Sequence, residues 1–154
     1  MSIETNVNQS LIESLYCEAL VLADEVRAYF DLTNQILPEG ADKQLAQAAL
    51  SCEAMRTTTR MMQAITWLLQ QRAHLAGELS EAHLRLYGKL SPDFLPSDPQ
   101  RTAQLPVEIT RLITATEEFY ARLLRIDHGY RAAPVQQPAG IDMLRARLGA
   151  QIAA

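Results

Sequence analysis

The stretch RTTTRMMQAITWLL, from Arg56 to Leu69, decides the fold of this chain. Its apolar residues recur at the three- and four-residue steps of a helix, so it is typical of the middle of a long helix. It also holds two arginines, a glutamine and the only tryptophan of the chain, Trp67. The stretch therefore raises the question of whether Trp67 belongs to a core or to a binding surface.

The stretch lies in a predicted second helix that runs from Asp42 to Ala76 and is the longest in the chain. Its apolar residues cover about half of the helix circumference, more than the roughly 100° stripe of a helix that packs against one layer. These residues are Leu50, Ala54, Met55, Met61, Met62, Ile65, Leu68 and Leu69. We expect this helix to lie between two neighbours or to be shared with a second subunit, and we interpret its methionines as core residues.

Two further long helices flank it in the sequence. The capping box Ser10-Leu11-Ile12-Glu13 predicts that the first helix starts near Ser10 and ends before Pro38. The third is predicted from Pro106 to His128, and a short helix from Ser80 to Tyr87. Since no segment alternates with period two, we expect an all-α fold: a three-helix antiparallel bundle with a short extra helix and a flexible C-terminal tail.

The chain changes in composition near residue 130, which predicts a bundle domain over 1–129 and a linker with a short amphipathic tail over 130–154. Ile141, Leu144 and Leu148 share one face of this tail. We expect the tail to fold on a protein partner, with these three residues as anchors and Arg145 and Arg147 at the rim. The alternative is a tail that docks back on its own bundle.

Composition and charge argue against several functions. The net charge of −4 is unfavourable for binding nucleic acid, and no leader or apolar run of membrane-spanning length is present. We therefore expect a cytoplasmic protein that binds neither nucleic acid nor a membrane. Cys17 and Cys52 are interpreted as buried, reduced side chains, and the scattered histidines predict no metal site and no cofactor.

On the helical wheel of the second helix, Trp67 falls with Arg56, Arg60 and Gln63 opposite the apolar arc. One interpretation is that these four residues bind a partner, because tryptophan and arginine are enriched at binding hot spots. The other is that a neighbouring loop or the helix at Ser80–Tyr87 covers the indole. The sequence leaves both open, and the partner-binding candidates are these four residues together with the tail.

The run from Arg56 to Ala73, followed by Gly77-Glu78, resembles the central stretch of the alphaproteobacterial RcdA family, named for the regulation of CtrA degradation. The resemblance extends over the helical body from about Leu11 to Tyr130. It implies a dimeric helical adaptor without enzymatic activity, recruited to the cell pole, whose C-terminal region takes part. Such an adaptor delivers protein cargo, cell-cycle regulators, to the ClpXP protease together with a response-regulator-like partner.

Two other functions compete with an adaptor. The first is a helical DNA-binding transcription regulator, although the segment Ser80 to Tyr87 carries only Arg85 as a fixed positive charge, too few for a recognition helix. The second is a metal-dependent enzyme of the helical-bundle type. Its sites need a histidine three residues after a glutamate on facing helices, and the long helices contain no such pair.

Overall fold

A computed structural model describes residues 3–37, 40, 42–92, 96–133 and 147–149 of the chain, with the side chains of the first helix from residue 8 onward. Residues 147–149 are helical, and no strand occurs in these ranges. The other helices are α1 (Ile3–Ile36), α2 (Lys43–Leu75), α3 (Glu81–Tyr87), α4 (Pro99–Thr102) and α5 (Val107–Ala132). The predicted all-α bundle is confirmed.

Helix α1 runs antiparallel to α2. Near one end of the bundle, Glu13 of α1 accepts a hydrogen bond from Arg72 Nε of α2 at 2.8 Å. Near the other end, Phe30 of α1 lies in one buried cluster with Leu50 of α2. Residue numbers therefore rise along α1 while they fall along α2.

Helices α2 and α5 run parallel to each other. Arg60 of α2 donates to Thr116 of α5, and Trp67, two turns further along α2, donates to Asp127 of α5. The chain must consequently travel back along the bundle between these two helices. Residues 88–92 and 96–98, which we call the crossover segment, lie on this return, and α4 follows at the far end.

The core consists of two buried clusters stacked along the bundle. The first contains Ile12, Leu15, Ala19, Met61, Ala64, Trp67, Leu68, Leu90, Phe119, Tyr120 and Leu123. The second contains Val26, Phe30, Ala49, Leu50, Leu105, Ile109 and Ile113. Each cluster takes residues from all three long helices and from the segment between α2 and α5, so that segment is part of the core.

Gly77 ends α2 as its position in the sequence predicts. Its φ is +80°, the left-handed conformation that glycine adopts without steric cost. The Glu78 amide donates to the Ala73 carbonyl at 2.9 Å, and the Gly77 amide donates to the His74 carbonyl at 3.0 Å. These two bonds form a Schellman motif, which pairs carbonyl groups at the helix end and turns the chain toward α3.

Two helix boundaries differ from the predicted ones. Helix α1 begins at Ile3, before the predicted start at Ser10. Ser10 and Glu13 therefore lie inside the helix, and the Glu13 carboxylate pairs with Arg72 instead of capping a terminus. Helix α5 continues through Gly129 to Ala132 and so enters the segment predicted to be the linker. The Arg131 side chain there donates to the Asp127 carboxylate at 3.2 Å, one turn earlier, which favours the added turn.

Candidate functional site

The polar residues of the opening stretch lie at the contact between α2, α5 and the crossover segment. Trp67 Nε1 donates to Asp127 Oδ1 at 3.0 Å, and the indole stacks on the Tyr130 ring with centroids 6.5 Å apart. The other Asp127 oxygen accepts the Leu90 amide of the crossover segment at 3.4 Å. Asp127 therefore joins the indole, the crossover backbone and Arg131.

Tyr120 makes the next attachment along the crossover segment. Its hydroxyl donates to the Ser91 carbonyl oxygen at 2.7 Å and lies 3.1 Å from the Gln63 side-chain amide. Burial raises the pKa of the Tyr120 phenol, because the protein interior disfavours the phenolate. The hydroxyl thus stays a hydrogen-bond donor beyond the pH at which a solvated tyrosine ionises.

Two arginines hold the far part of the crossover segment. Arg56 Nη1 donates to the Pro96 carbonyl oxygen at 2.9 Å. Arg60 donates to Thr116 Oγ1 at 2.8 Å and pairs with Glu117 Oε1 at 3.4 Å. The same Glu117 oxygen accepts the Ser97 amide at 3.0 Å. Arg56 therefore binds the crossover segment directly, and Arg60 is linked to it through the Glu117 carboxylate.

Arg60 carries a charge inside the protein. Its residue is 1% exposed, and burial lowers the pKa of its guanidinium, while the nearby Glu117 and Glu53 oppose that shift. Glu53 is fully buried, and neither of its carboxylate oxygens has a hydrogen-bond partner among the described residues. Burying a carboxyl group without hydrogen bonds is costly, and Arg60 is the charged side chain beside Glu53 in the core.

Of the two interpretations of Trp67, Arg56, Arg60 and Gln63, the one that makes them an exposed partner-binding surface is wrong. Trp67 is 2% exposed and Arg60 is 1% exposed. Arg56 and Gln63 are half-buried and bonded within the chain. The physical reason is that α5 supplies side-chain partners for Trp67, Arg60 and Gln63, and the crossover segment supplies a backbone carbonyl for Arg56. The other interpretation, in which neighbouring residues cover the indole, is the correct one.

The exposed side of α2, unlike its buried side, carries no charged side chain. Its twelve exposed residues are all uncharged, and they are Gln44, Leu45, Gln47, Ala48, Ser51, Cys52, Met55, Thr58, Thr59, Met62, Thr66 and Leu69. Its Lys, Arg and Glu residues are all partly or fully buried, and they are Lys43, Glu53, Arg56, Arg60 and Arg72. An ordinary surface helix turns its charges toward water, so α2 inverts the usual arrangement.

Three large apolar side chains mark this side of the helix. Met55 is 73% exposed, Met62 is 63% exposed and Leu69 is 44% exposed. They are seven residues apart and so form one line along the helix. We call the twelve exposed residues the outer face of α2. The expectation that the methionines belong to the core holds for Met61, which is 3% exposed, and is wrong for Met55 and Met62.

Helix α1 presents a charged surface in contrast. Its exposed acids include Glu18, Asp24, Glu25 and Asp31. Two acids of this helix bind arginines of the neighbouring helices: Glu13 pairs with Arg72, and Glu18 pairs with Arg122. Part of the acidic surface of α1 therefore forms ion pairs with arginines of α2 and α5.

Part of the predicted tail site can be compared with the structure. Arg147 and Leu148 are exposed, Leu148 by 56%. Ile141, Leu144 and Arg145 lie outside the described residues. The role of the tail anchors in partner binding stays a prediction.

Within the described ranges, the cysteine, histidine and acidic side chains form no metal-binding cluster. Cys17 and Cys52 are free and exposed, so the expectation that both are buried is wrong. Across the part of the chain that the structure describes, no three His, Cys, Asp or Glu side chains lie close enough to hold a metal ion. In the same part, no helix is both long and apolar enough to cross a membrane.

The fold and these surfaces define a small all-α bundle in which a polar network is internal and one long helix face is uncharged. The chain matches, over residues 3–152, the family described as "Protein of unknown function (DUF1465)", and it belongs to that family. No curated protein and no solved structure matches it.

Proposed function

We propose that this protein is a non-enzymatic, homodimeric adaptor of regulated proteolysis. It helps to deliver protein cargo, cell-cycle regulators, to the ClpXP protease together with a response-regulator-like partner, as the resemblance of residues 56–78 to the RcdA family implies. The observation that carries the proposal is the uncharged outer face of α2. An adaptor functions through contact surfaces, and the outer face of α2 has the composition of a contact surface.

The composition of the outer face supports a protein contact. The cores of protein interfaces are depleted in charged residues and enriched in methionine. Methionine also adapts its shape to a partner because its side chain is unbranched and flexible. On the outer face, Met55 and Met62 are exposed by 73% and 63% and stand among small polar residues such as Thr59 and Thr66. A monomer gains no stability from leaving these side chains in water.

A second copy of the chain fits this face best. Each chain has a net charge of −4, so two copies repel each other unless they meet through a surface without acidic groups. The seven-residue spacing of Met55, Met62 and Leu69 is that of helices that pack at a small crossing angle. In an antiparallel pair around a two-fold axis, Met62 meets its own copy and Met55 meets Leu69.

Dimerisation through α2 leaves α1 and the tail for other partners. Helix α1 combines exposed acids with exposed apolar residues, among them Val21 at 60% and Ile36 at 68%. The tail anchors Ile141, Leu144 and Leu148 would act as a tethered contact, since a linker keeps a weak motif at high effective concentration beside whatever the body has bound. We assign cargo and protease contacts to these two regions.

The DNA-binding alternative receives no support from the geometry. Arg85 is the one arginine of α3, and its guanidinium bonds the Glu81 carboxylate at 3.3 Å one turn away. The three arginines of α2, Arg56, Arg60 and Arg72, bind the crossover segment, α5 and Glu13 of α1, respectively. These cations are already used within the chain.

The dimer is tested with Met62→Glu and the double variant Met55→Glu/Met62→Glu, each of which places charge at the centre of the outer face. Leu86→Glu is the matched control, because Leu86 on α3 has the same 73% exposure as Met55. Light scattering at tens of micromolar should give a dimer mass for the wild type and the control, and a monomer mass for the outer-face variants. A monomeric wild type would contradict the proposed dimer.

The adaptor role needs a separate measurement. Purified ClpX is titrated with the wild-type protein in the presence and absence of the response-regulator-like partner, and binding is followed by interferometry. We expect a complex that forms or strengthens when the partner is present. Failure to bind under either condition would contradict the adaptor role while leaving the dimer result standing.

A further inference from the structure

A groove runs along α5. One part of it, about 780 Å³, lies between α1 and α5 and is lined by the buried Phe119. The other part, about 470 Å³, lies between α5 and the residues around α4 and is lined by the buried Leu105. Ala115 and Glu118 line both parts, so the groove is continuous along the helix.

The exposed side of α5 is a narrow stripe beside this groove. Seven of the nine exposed residues of the helix follow one another at steps of three, four or seven residues, and they are Val107, Arg111, Thr114, Glu118, Arg125, His128 and Ala132. These steps are those of the contact positions in helices that pack side by side. Helix α5 therefore presents the spacing that a further helix would contact.

The charges on this stripe alternate. Arg111, Glu118 and Arg125 are exposed and stand seven residues apart, so they extend over roughly 21 Å at a helical rise of 1.5 Å per residue. In the part of the chain that the structure describes, none of the three belongs to an ion pair. Glu18 and Arg122, which also line the groove, pair with each other. The stripe thus offers an unused pattern of base, acid and base.

We propose that this groove binds an amphipathic helix of a partner protein whose contact stripe carries an acid, a base and an acid at seven-residue steps. The outer acids pair with Arg111 and Arg125. The central base lies near Glu118 and Glu25, which line the same part of the groove from α5 and α1. Complementary charges then set the register of the helix, and apolar side chains between them enter the groove.

A second copy of α5 complements the stripe less well. Two copies packed antiparallel about Glu118 would bring Glu118 against itself and Arg111 against Arg125, and like charges that face each other are unfavourable. A register that pairs Arg111 with Glu118 leaves Arg125 facing residue 104 of the other copy, which precedes α5. The charge pattern therefore favours a different protein.

The inference does not depend on the adaptor role or on the proposed dimer. The groove is lined by α1, by α5 and by the residues around α4, so it shares no residue with the outer face of α2. Its test uses the full-length chain and designed peptides.

The probes are two blocked, alanine-rich helical peptides of three heptads, with leucine midway between the charged positions. The complementary probe carries glutamate, lysine and glutamate at seven-residue steps, and the inverted probe carries lysine, glutamate and lysine. Binding is followed by the fluorescence anisotropy of labelled peptide. We expect the complementary probe to bind about tenfold more tightly.

The order of the two affinities decides the outcome. Attraction by net charge alone would favour the more basic inverted probe, because the protein has a net charge of −4. Equal affinities, the reverse order, or no binding of the complementary probe at millimolar concentration would overturn the proposal.

Glu118→Lys tests the centre of the pattern. It should weaken the complementary probe about tenfold and strengthen the inverted one. Glu78→Lys is the matched control, because it makes the same change in net charge at an exposed residue after α2, outside the groove. Equal effects of the two variants would contradict the proposed pairing. A lower oligomeric mass of Glu118→Lys than of the wild type in light scattering would assign the groove to a second copy instead.

Cys17 reports where the helix binds. It is exposed and lines the groove, whereas Cys52 is exposed on the outer face of α2. Saturating complementary probe should slow the alkylation of Cys17 by iodoacetamide severalfold and leave the rate at Cys52 unchanged, as measured by mass spectrometry. Protection of Cys52 alone, or of neither thiol, would place the bound helix elsewhere and refute the assignment.

Discussion

The inner and outer sides of α2 differ in a way that reverses the usual relation between polarity and burial. The inner side buries Glu53, Thr57, Arg60 and Gln71 together with Trp67. The outer side exposes Met55, Met62 and Leu69. Buried polar groups are costly unless they are bonded within the chain. Trp67 and Arg60 are bonded to α5, whereas Glu53 and Thr57 have side-chain oxygens without a hydrogen-bond partner among the described residues.

Helix α5 provides the partners of Trp67 and Arg60, and the same α5 carboxylates, Asp127 and Glu117, also bind the crossover segment. An irregular segment carries backbone amides and carbonyls that no regular ladder satisfies. Polar side chains meet those groups. Asp127, Tyr120, Glu117 and Arg56 bind the described backbone at Leu90, Ser91, Ser97 and Pro96, respectively. Side-chain polarity on α2 therefore follows what the helix packs against: α5 and the crossover segment on one side and, by our proposal, a second subunit on the other.

The largest expected effect is on the inner side, from Trp67→Ala. The change empties a large buried volume and removes the bond from Nε1 to Asp127, so we expect a loss of about 3–5 kcal/mol in the free energy of unfolding. Urea denaturation followed by circular dichroism measures it. A loss below about 1 kcal/mol, the typical cost of an average substitution, would mean that the indole is not part of the core.

Asp127→Ala should have the next largest effect. The carboxylate is 5% exposed and accepts bonds from Trp67, Leu90 and Arg131, and bonds to a charged group contribute about 1.5–3 kcal/mol. The matched control is Asp24→Ala, since Asp24 pairs with Arg27 at 2.9 Å on the exposed side of α1. Similar losses for both variants in urea denaturation would contradict the role of Asp127 as the joint between Trp67 and the crossover segment.

Tyr120→Phe tests the hydrogen bond from the Tyr120 hydroxyl to the crossover segment and the pH dependence of its contribution to stability. Removing the hydroxyl bond to Ser91 should cost about 1 kcal/mol near neutral pH. Because burial raises the pKa of Tyr120 in the folded state, its contribution is fully present below the unfolded pKa of about 10 and is lost as the pH rises above it. Denaturation from pH 8 to 11 should therefore show a smaller alkaline loss for the variant than for the wild type, and identical profiles would contradict the assignment.

Much of the architecture could be predicted from residue spacing. The three long helices, the short helix after Ser80 and the stop at Gly77 follow from helical periodicity and local capping, which depend on neighbouring residues. The first boundary failed because a Ser-x-x-Glu pattern also occurs inside a helix. In this chain, Glu13 bonds Arg72, which lies far away in the sequence.

The orientation of α2 could not be predicted in the same way. A helical wheel assigns the apolar arc to the core, but the position of the crossover segment depends on contacts between distant residues. One signal was present in α5, where Asp127 continues the inward stripe seven residues after Tyr120 and four after Leu123. An acid at an inward position predicts a buried partner for it, and the Trp67 indole is one.

The smallest expected effect on folding is on the outer side, from Met62→Ser. Met62 is 63% exposed and gives up little apolar contact within its own chain, so the unfolding free energy of the monomer should change by less than about 0.5 kcal/mol. The same substitution should weaken association, since Met62 lies at the centre of the proposed two-fold contact. Urea denaturation at submicromolar protein reports the first quantity and sedimentation at tens of micromolar the second. A marked loss of monomer stability with unchanged association would show that the outer face belongs to the core of the single chain, and the contrast between the two sides of α2 would then fail.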